Sequence, residues 1–155
     1  MSIKTTLKGI LKSNIYDFKH GKKSKLSKST YARLSKHDKF YRKEQSANFN
    51  DHKIHFAAPF WFLHSVHELF VGEVYRFKSD KQTPYIIDCG ANIGLSVIYF
   101  KELFKDAKVL AFEADPTVYK QLQKNLGEYK YNNLDLVNAA VWDSKTTLKF
   151  SSEGS

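Results

Sequence analysis

Two acids and two glycines are spaced as a ligand-holding set: Asp88-Cys89-Gly90-Ala91-Asn92-Ile93-Gly94 follows one apolar run, and Glu113 closes the next. Glycine at a strand-to-helix turn lets the chain reverse sharply and lets ligand atoms come close to the backbone, two tasks that suit Gly90 and Gly94. Asn92 is placed to cap the following helix, whose free N–H groups would favour a carboxylate. The loop departs from the G-x-G-x-x-G of dinucleotide sites, because Asn92 takes the second glycine position and Leu95 the third. An acid just ahead of the loop, Asp88, would repel a pyrophosphate and attract a cation. Glu113, at the next strand end, is placed to accept hydrogen bonds from both hydroxyls of a ribose. Each acid alone reads as a turn carboxylate or a solvated strand end. As a pair at consecutive strand ends they suit a ligand with an ammonium, a sulfonium and a ribose, and S-adenosylmethionine carries all three.

The elements that must position this set are legible around it. Tyr85-Ile86-Ile87 is a short run of β-formers, expected as a strand buried on both faces. Ile93, Val97, Phe100 and Phe104, with Leu103 beside them, mark a helical face, and Lys108 to Phe112 returns to strand character. Pro116, following the cap candidate Asp115, opens a second helix with Val118, Leu122 and Leu126 inward and Gly127 as its stop. Leu134 to Val137 is the third strand, and Ala139 to Val141 with Thr146 to Phe150 is expected to form a hairpin. Two consecutive β-α-β crossovers give the expected fold class: α/β, Rossmann-like, a partial parallel sheet with helices on both faces.

Ahead of that domain the chain changes character. It has 155 residues, a net charge of +9 and 42% hydrophobic content, which suits one core plus an extension. Lysines and arginines from Lys4 to Lys43 far outnumber the acids, so the basic excess lies at the front. Residues 1–53 are therefore expected as a basic, loosely ordered N-terminal extension with a short helix, 54–83 as a helical segment and linker, and 84–155 as an incomplete binding domain. Within the middle segment Phe62, Val66, Leu69 and Phe70 recur at helical spacing, and Lys78 to Pro84 is the linker candidate. The aromatics Phe56, Phe60, Trp61, Phe62 and Phe70 read as a packing seam.

Other chemistries are disfavoured. The basic front, with Tyr16, Tyr31 and Tyr41 interleaved, would serve an RNA-binding arm, but lysine predominates over arginine and no RNA-binding motif accompanies it. A solvated tail is the favoured reading. His64 and His67 lack the H-E-x-x-H arrangement, so no metal is expected there. A single cysteine, Cys89, makes no internal disulfide, points to a reducing cytoplasm, and reads as a small buried hydrophobe without chemistry. Ile10 and Leu11 run straight into Lys12, too short for a signal peptide, and Phe56 to Val71 falls short of the about 20 residues a membrane span needs.

The run Ile86-Ile87-Asp88-Cys89-Gly90-Ala91-Asn92-Ile93-Gly94-Leu95-Ser96, followed by Ala111-Phe112-Glu113-Ala114-Asp115-Pro116, resembles the FkbM family of methyltransferases. The resemblance continues through Leu122 to Leu126 and Val137-Asn138-Ala139-Ala140-Val141, and upstream at Glu68-Leu69-Phe70 and Tyr75. It implies a class I Rossmann-like fold, S-adenosylmethionine as methyl donor, and O-methylation of a sugar or small-metabolite hydroxyl, so that the partner is a small-molecule or glycan acceptor. It carries Asp88, Gly90, Asn92, Gly94 and Glu113 over as cofactor contacts, with Asn138 and Ala139 as weaker candidates for the adenine edge. Family members continue into a fourth strand with a Lys-Ile-Asp-x-Glu-Gly-like segment, whereas this sequence stops at Ser155. The expectation is a truncated form with impaired activity, no nameable catalytic base, and an unpaired sheet edge that favours self-association. An RNA methyltransferase using the basic arm, and a non-catalytic cofactor-binding remnant, are the alternatives.

Overall fold

The computed structural model describes residues 26–50, 52–144 and 146, in two compact units that divide between Val74 and Tyr75. The division falls ahead of the expected linker. Helix α1 (Lys28–Leu34), strands β1 (Gln45–Phe49) and β2 (His52–Phe56), and helix α2 (Pro59–Val66) belong to the first unit. A single π-type turn, His67–Val71, continues α2. The second unit holds β3 (Tyr85–Cys89), α3 (Leu95–Leu103), β4 (Lys108–Phe112), α4 (Pro116–Gly127) and β5 (Leu134–Val137).

In the first unit, residues 26–50, 52 and 53 are not the loose chain expected for them. Ser27 caps α1 by accepting from the Thr30 N–H, and the Arg33 guanidinium donates to Gln45 Oε1 at 2.7 Å and to the Ser46 carbonyl at 3.0 Å. Strands β1 and β2 pair antiparallel with Ala47 opposite Ile54, and Asn50, at φ 55°, takes the left-handed turn conformation that asparagine tolerates. Alternation buries Ala47 and Phe49 on β1, and Ile54 and Phe56 on β2. Ile54 to Phe56 is thus strand, where helix was expected. Most of the aromatic seam is core packing as read, built on this hairpin: Phe56, Phe60 and Phe62 are buried, Phe62 stacks on Phe56 at 4.1 Å, and Phe70 meets Phe49 edge-on at 4.8 Å, whereas Trp61 is exposed.

The second unit is a parallel three-stranded sheet of order β3-β4-β5 with a helix in each crossover, the Rossmann-like α/β arrangement expected. Strand order that advances one way, with right-handed crossovers, carries both helices onto a single face. Burial agrees: Ile86, Val109 and Ala111 are buried, whereas Tyr85 and Ile87 on the opposite face are 61% and 55% exposed. The first strand is therefore not buried on both faces, and α3 and α4 lie on one face of the sheet rather than on both. Helix α3 is buried on nearly every side, including Lys101, which the sequence pattern leaves on the surface. Tyr75 stacks on Phe100 at 5.9 Å and Phe77 meets Phe104 at 5.0 Å, so residues expected in the helical entry segment belong to this unit. Ala139 to Val141 is not strand, and most of its expected hairpin partner lies outside the described residues. No helix among the described residues is long and apolar enough to cross a membrane.

Candidate functional site

Register fixes where the acids fall. Asp88 lies opposite Ala111 and Cys89 opposite Phe112, so the chain leaves β3 and β4 at the same level, and Glu113 is the first residue past β4. The loop from Gly90 to Gly94 is clamped there from several directions. Gly90 N–H and Ala91 N–H both donate to the Phe112 carbonyl, at 3.0 and 2.8 Å. The Glu113 carboxylate accepts from Asn92 N–H through Oε2 at 2.9 Å and from Asp115 N–H through Oε1 at 2.8 Å. From α4, the fully buried Asn125 amide donates to the Ile93 carbonyl at 2.9 Å. Asp115, expected as a cap, does cap α4 by accepting from Thr117 and Val118.

The two glycines divide the work differently from the sequence reading. Gly94 sits at φ +97°, and a Cβ there would stand 2.9 Å from Leu122 and 3.1 Å from Leu126, so its bareness lets α4 pack against the start of α3. Gly90, at φ +132°, has nothing within 4 Å of the place a Cβ would occupy, so open space borders the loop at that point. Asn92 is not the helix cap. The N-cap is Gly94, and Asn92 at φ 49° instead offers its backbone N–H to Glu113.

Asp88 is held from below by Ser96 in the first turn of α3, whose hydroxyl donates to Oδ2 at 2.6 Å. Burial pushes the Asp88 carboxyl above the usual aspartate range; the Ser96 hydrogen bond acts against that, and the nearby Glu113 charge adds to it. Among the described residues no lysine, arginine or histidine pairs with either acid. A carboxylate has about four lone-pair positions, and only two of Glu113's are taken by backbone N–H groups. The site therefore offers fixed, acceptor-rich, negatively charged groups next to open space, which suits a cationic ligand that also donates hydrogen bonds.

The remaining candidates lie nearby in different roles. The Asn138 amide donates to the Glu113 and Ala114 carbonyls at 2.8 and 3.3 Å, tying the end of β5 to that of β4, and Ala139 N–H donates to the Val137 carbonyl. Cys89 is exposed, which corrects its reading as a buried hydrophobe. His64 contacts Glu68 at 3.3 Å one helical turn on, in the first unit. Ser96 and Asn125 were missed by sequence reading. The signal for Ser96 was its place in the first turn of the helix that follows an acid-ended strand; Asn125 gave none, since an amide in an amphipathic helix usually faces water.

Two known proteins similar to part of this chain are methyltransferases by name, and a third, the AMB antimetabolite synthetase AmbE of Pseudomonas aeruginosa, is 39% identical over 64 residues, 40% of this chain and 3% of the relative. The methyltransferase sdnD of Sordaria araneosa is 42% identical over 59 residues, which is 38% of this chain and 23% of the relative. Methyltransferase 1 of Beauveria bassiana is 31% identical over 65 residues, 42% of this chain and 25% of the relative. The chain thus spans about a quarter of the length of these two methyltransferases. Among solved structures, M. jannaschii TYW2 in complex with AdoMet overlaps 63% of this chain and 44% of its own, at 19% identity and a TM-score of 0.42. That overlap adds nothing to the fold already given by strand order and connection. No family model matches the chain.

Proposed function

We propose that the carboxyl ends of β3 and β4 bind S-adenosylmethionine, and that the protein is a methyltransferase of FkbM type acting on a hydroxyl of a sugar or small metabolite. The observation that carries this reading is the pair of acids at two consecutive parallel strand ends, with no basic partner among the described residues, beside the open space at Gly90. S-adenosylmethionine supplies an electrophilic methyl group on a sulfonium. Asp88 would pair with the ligand's ammonium, and Glu113, steadied by the Asn92 and Asp115 N–H groups, would turn its remaining lone pairs to a ribose diol. Gly90 would keep the loop clear for close approach, while Asn92, Gly94 and Asn138 would hold the loop and strand ends in place and Ala139 would border the adenine. Methyl transfer is an in-line displacement, so such fixed groups serve catalysis by positioning.

The similarity to methyltransferases supports the chemistry, and the single cysteine supports a cytoplasmic setting. Association of copies through the outer edge of β3, beside exposed Tyr85 and Ile87, belongs to the same reading, and sedimentation at rising concentration checks it. The binding claim is tested by thermal melting with saturating ligand. S-adenosylhomocysteine at 100 times its Kd raises stability by about 2.7 kcal/mol, and NAD leaves the melting temperature unchanged. A rise with NAD alone would point to a dinucleotide site instead.

A further inference from the structure

We propose that Ser96 is a positioning residue of the donor site, whose hydroxyl holds Asp88 by Oδ2 so that Oδ1 stays available to the ammonium of the ligand's amino-acid end. The inference rests on the site reading above and adds a residue that neither the motif nor the acids themselves identify. Ser96 is 8% exposed, in the first turn of a helix otherwise buried by apolar side chains, and its hydroxyl is spent on one carboxylate oxygen at 2.6 Å. A buried hydroxyl that merely filled space would need no such short, charge-assisted bond, and a helix start has its own backbone as an alternative partner for serine. Asp88 Oδ1 carries no hydrogen bond among the described residues. The carboxylate stands at a strand end whose neighbour is fixed by register, so the bond to Oδ2 restrains its rotation about χ2, a torsion that is otherwise broad. Without Ser96, Asp88 loses the bond that sets its aim and favours its ionised form, and the ligand's amino-acid end must order it on binding.

A pair of ligands separates this role from general upkeep of the fold. S-adenosylhomocysteine carries the ammonium, and methylthioadenosine has the same adenosine and sulfur without the amino-acid end. Titration calorimetry on the wild type, Ser96→Ala and Ser96→Thr is expected to show the alanine variant binding S-adenosylhomocysteine about tenfold more weakly, with methylthioadenosine affected less than about twofold. Threonine, which keeps the hydroxyl, restores the first affinity. Should the alanine variant fail to fold, Ser96→Cys keeps the volume with a poorer donor and carries the same expectation. Equal weakening of both ligands, or no weakening of either, would overturn the positioning role. Failure of the wild type to bind either ligand would overturn the site reading itself, and this role with it.

Discussion

At the amino ends of β4 and β5, the Lys101 ammonium donates to the carbonyls of Ala107, Asn132 and Asn133 at 2.6, 2.6 and 3.2 Å, with the Tyr131 ring 5.8 Å away. At the carboxyl ends of β3 and β4, burial and then the nearby Glu113 charge raise the proton affinity of Asp88, and no base pairs with either acid among the described residues. One end of the sheet has a buried charge whose donors are matched, so it needs nothing further. The other holds two negative groups in fixed positions with acceptor capacity left over. Buried charge is tolerated where partners satisfy it, and where they do not, a ligand is the natural complement. The difference separates a structural end from a functional one within strands of four or five residues in the same sheet.

The largest effect comes from breaking the scaffold that both ends share. Gly94→Ala adds a Cβ at φ +97° that collides with Leu122 and Leu126, and about 3 kcal/mol of stability should be lost in chemical denaturation. Lys101→Ala breaks the amino end alone. It strands three backbone carbonyls, costs about 2–3 kcal/mol, and lowers Tm by roughly 10 °C or more, yet the folded fraction binds S-adenosylhomocysteine with wild-type affinity. A parallel loss of affinity would dissolve the distinction between the two ends.

Asp88→Asn acts in the opposite sense. The raised carboxyl pKa means that ionised Asp88 costs the folded state stability. Its favourable contribution is complete below the unfolded aspartate value near 3.8 and is lost as pH rises through the higher folded value. Wild-type protein should therefore lose stability over that rise, while the asparagine variant, free of that loss, melts higher at pH 7 and binds S-adenosylhomocysteine about thirtyfold more weakly. Melting curves from pH 4 to 7 paired with titrations check both halves. The smallest effect is expected from Glu113→Gln, which keeps one acceptor oxygen, loses the charge and leaves one of the two backbone N–H groups without its acceptor: a loss of about tenfold in affinity and of about 1 kcal/mol in stability.

The carboxyl end was far more legible than the amino end. Asp88, the glycine loop and Glu113 announce themselves because a sharp strand-to-helix turn admits few residue types, and periodicity on either side names the elements. Lys101 was invisible because a lysine on a helix is read as solvated, and only the fold brings residues 107, 132 and 133 around it. Sheet burial was misjudged at Ile87, since an apolar strand run does not say which of its faces is covered. The hairpin of β1 and β2 hid inside a basic stretch, although Ala47, Phe49, Ile54 and Phe56 alternate around Asn50-Asp51, a turn signal that net charge overshadowed. The same bias toward composition set the expected domain boundary in the polar linker, after Tyr75 and Phe77 had already joined the second unit.

The central claim, that this sheet keeps its ligand at one end and only structure at the other, is tested most directly by amide chemical-shift mapping during titration with S-adenosylmethionine. The predicted result is saturable shifts at residues 90–96, 113–115 and 138–139, led by the Asn92 and Asp115 N–H groups that Glu113 already holds, with residues 104–108 and 131–134 unmoved. Shifts centred on the Lys101 end, or none at any residue under saturating ligand, would contradict it.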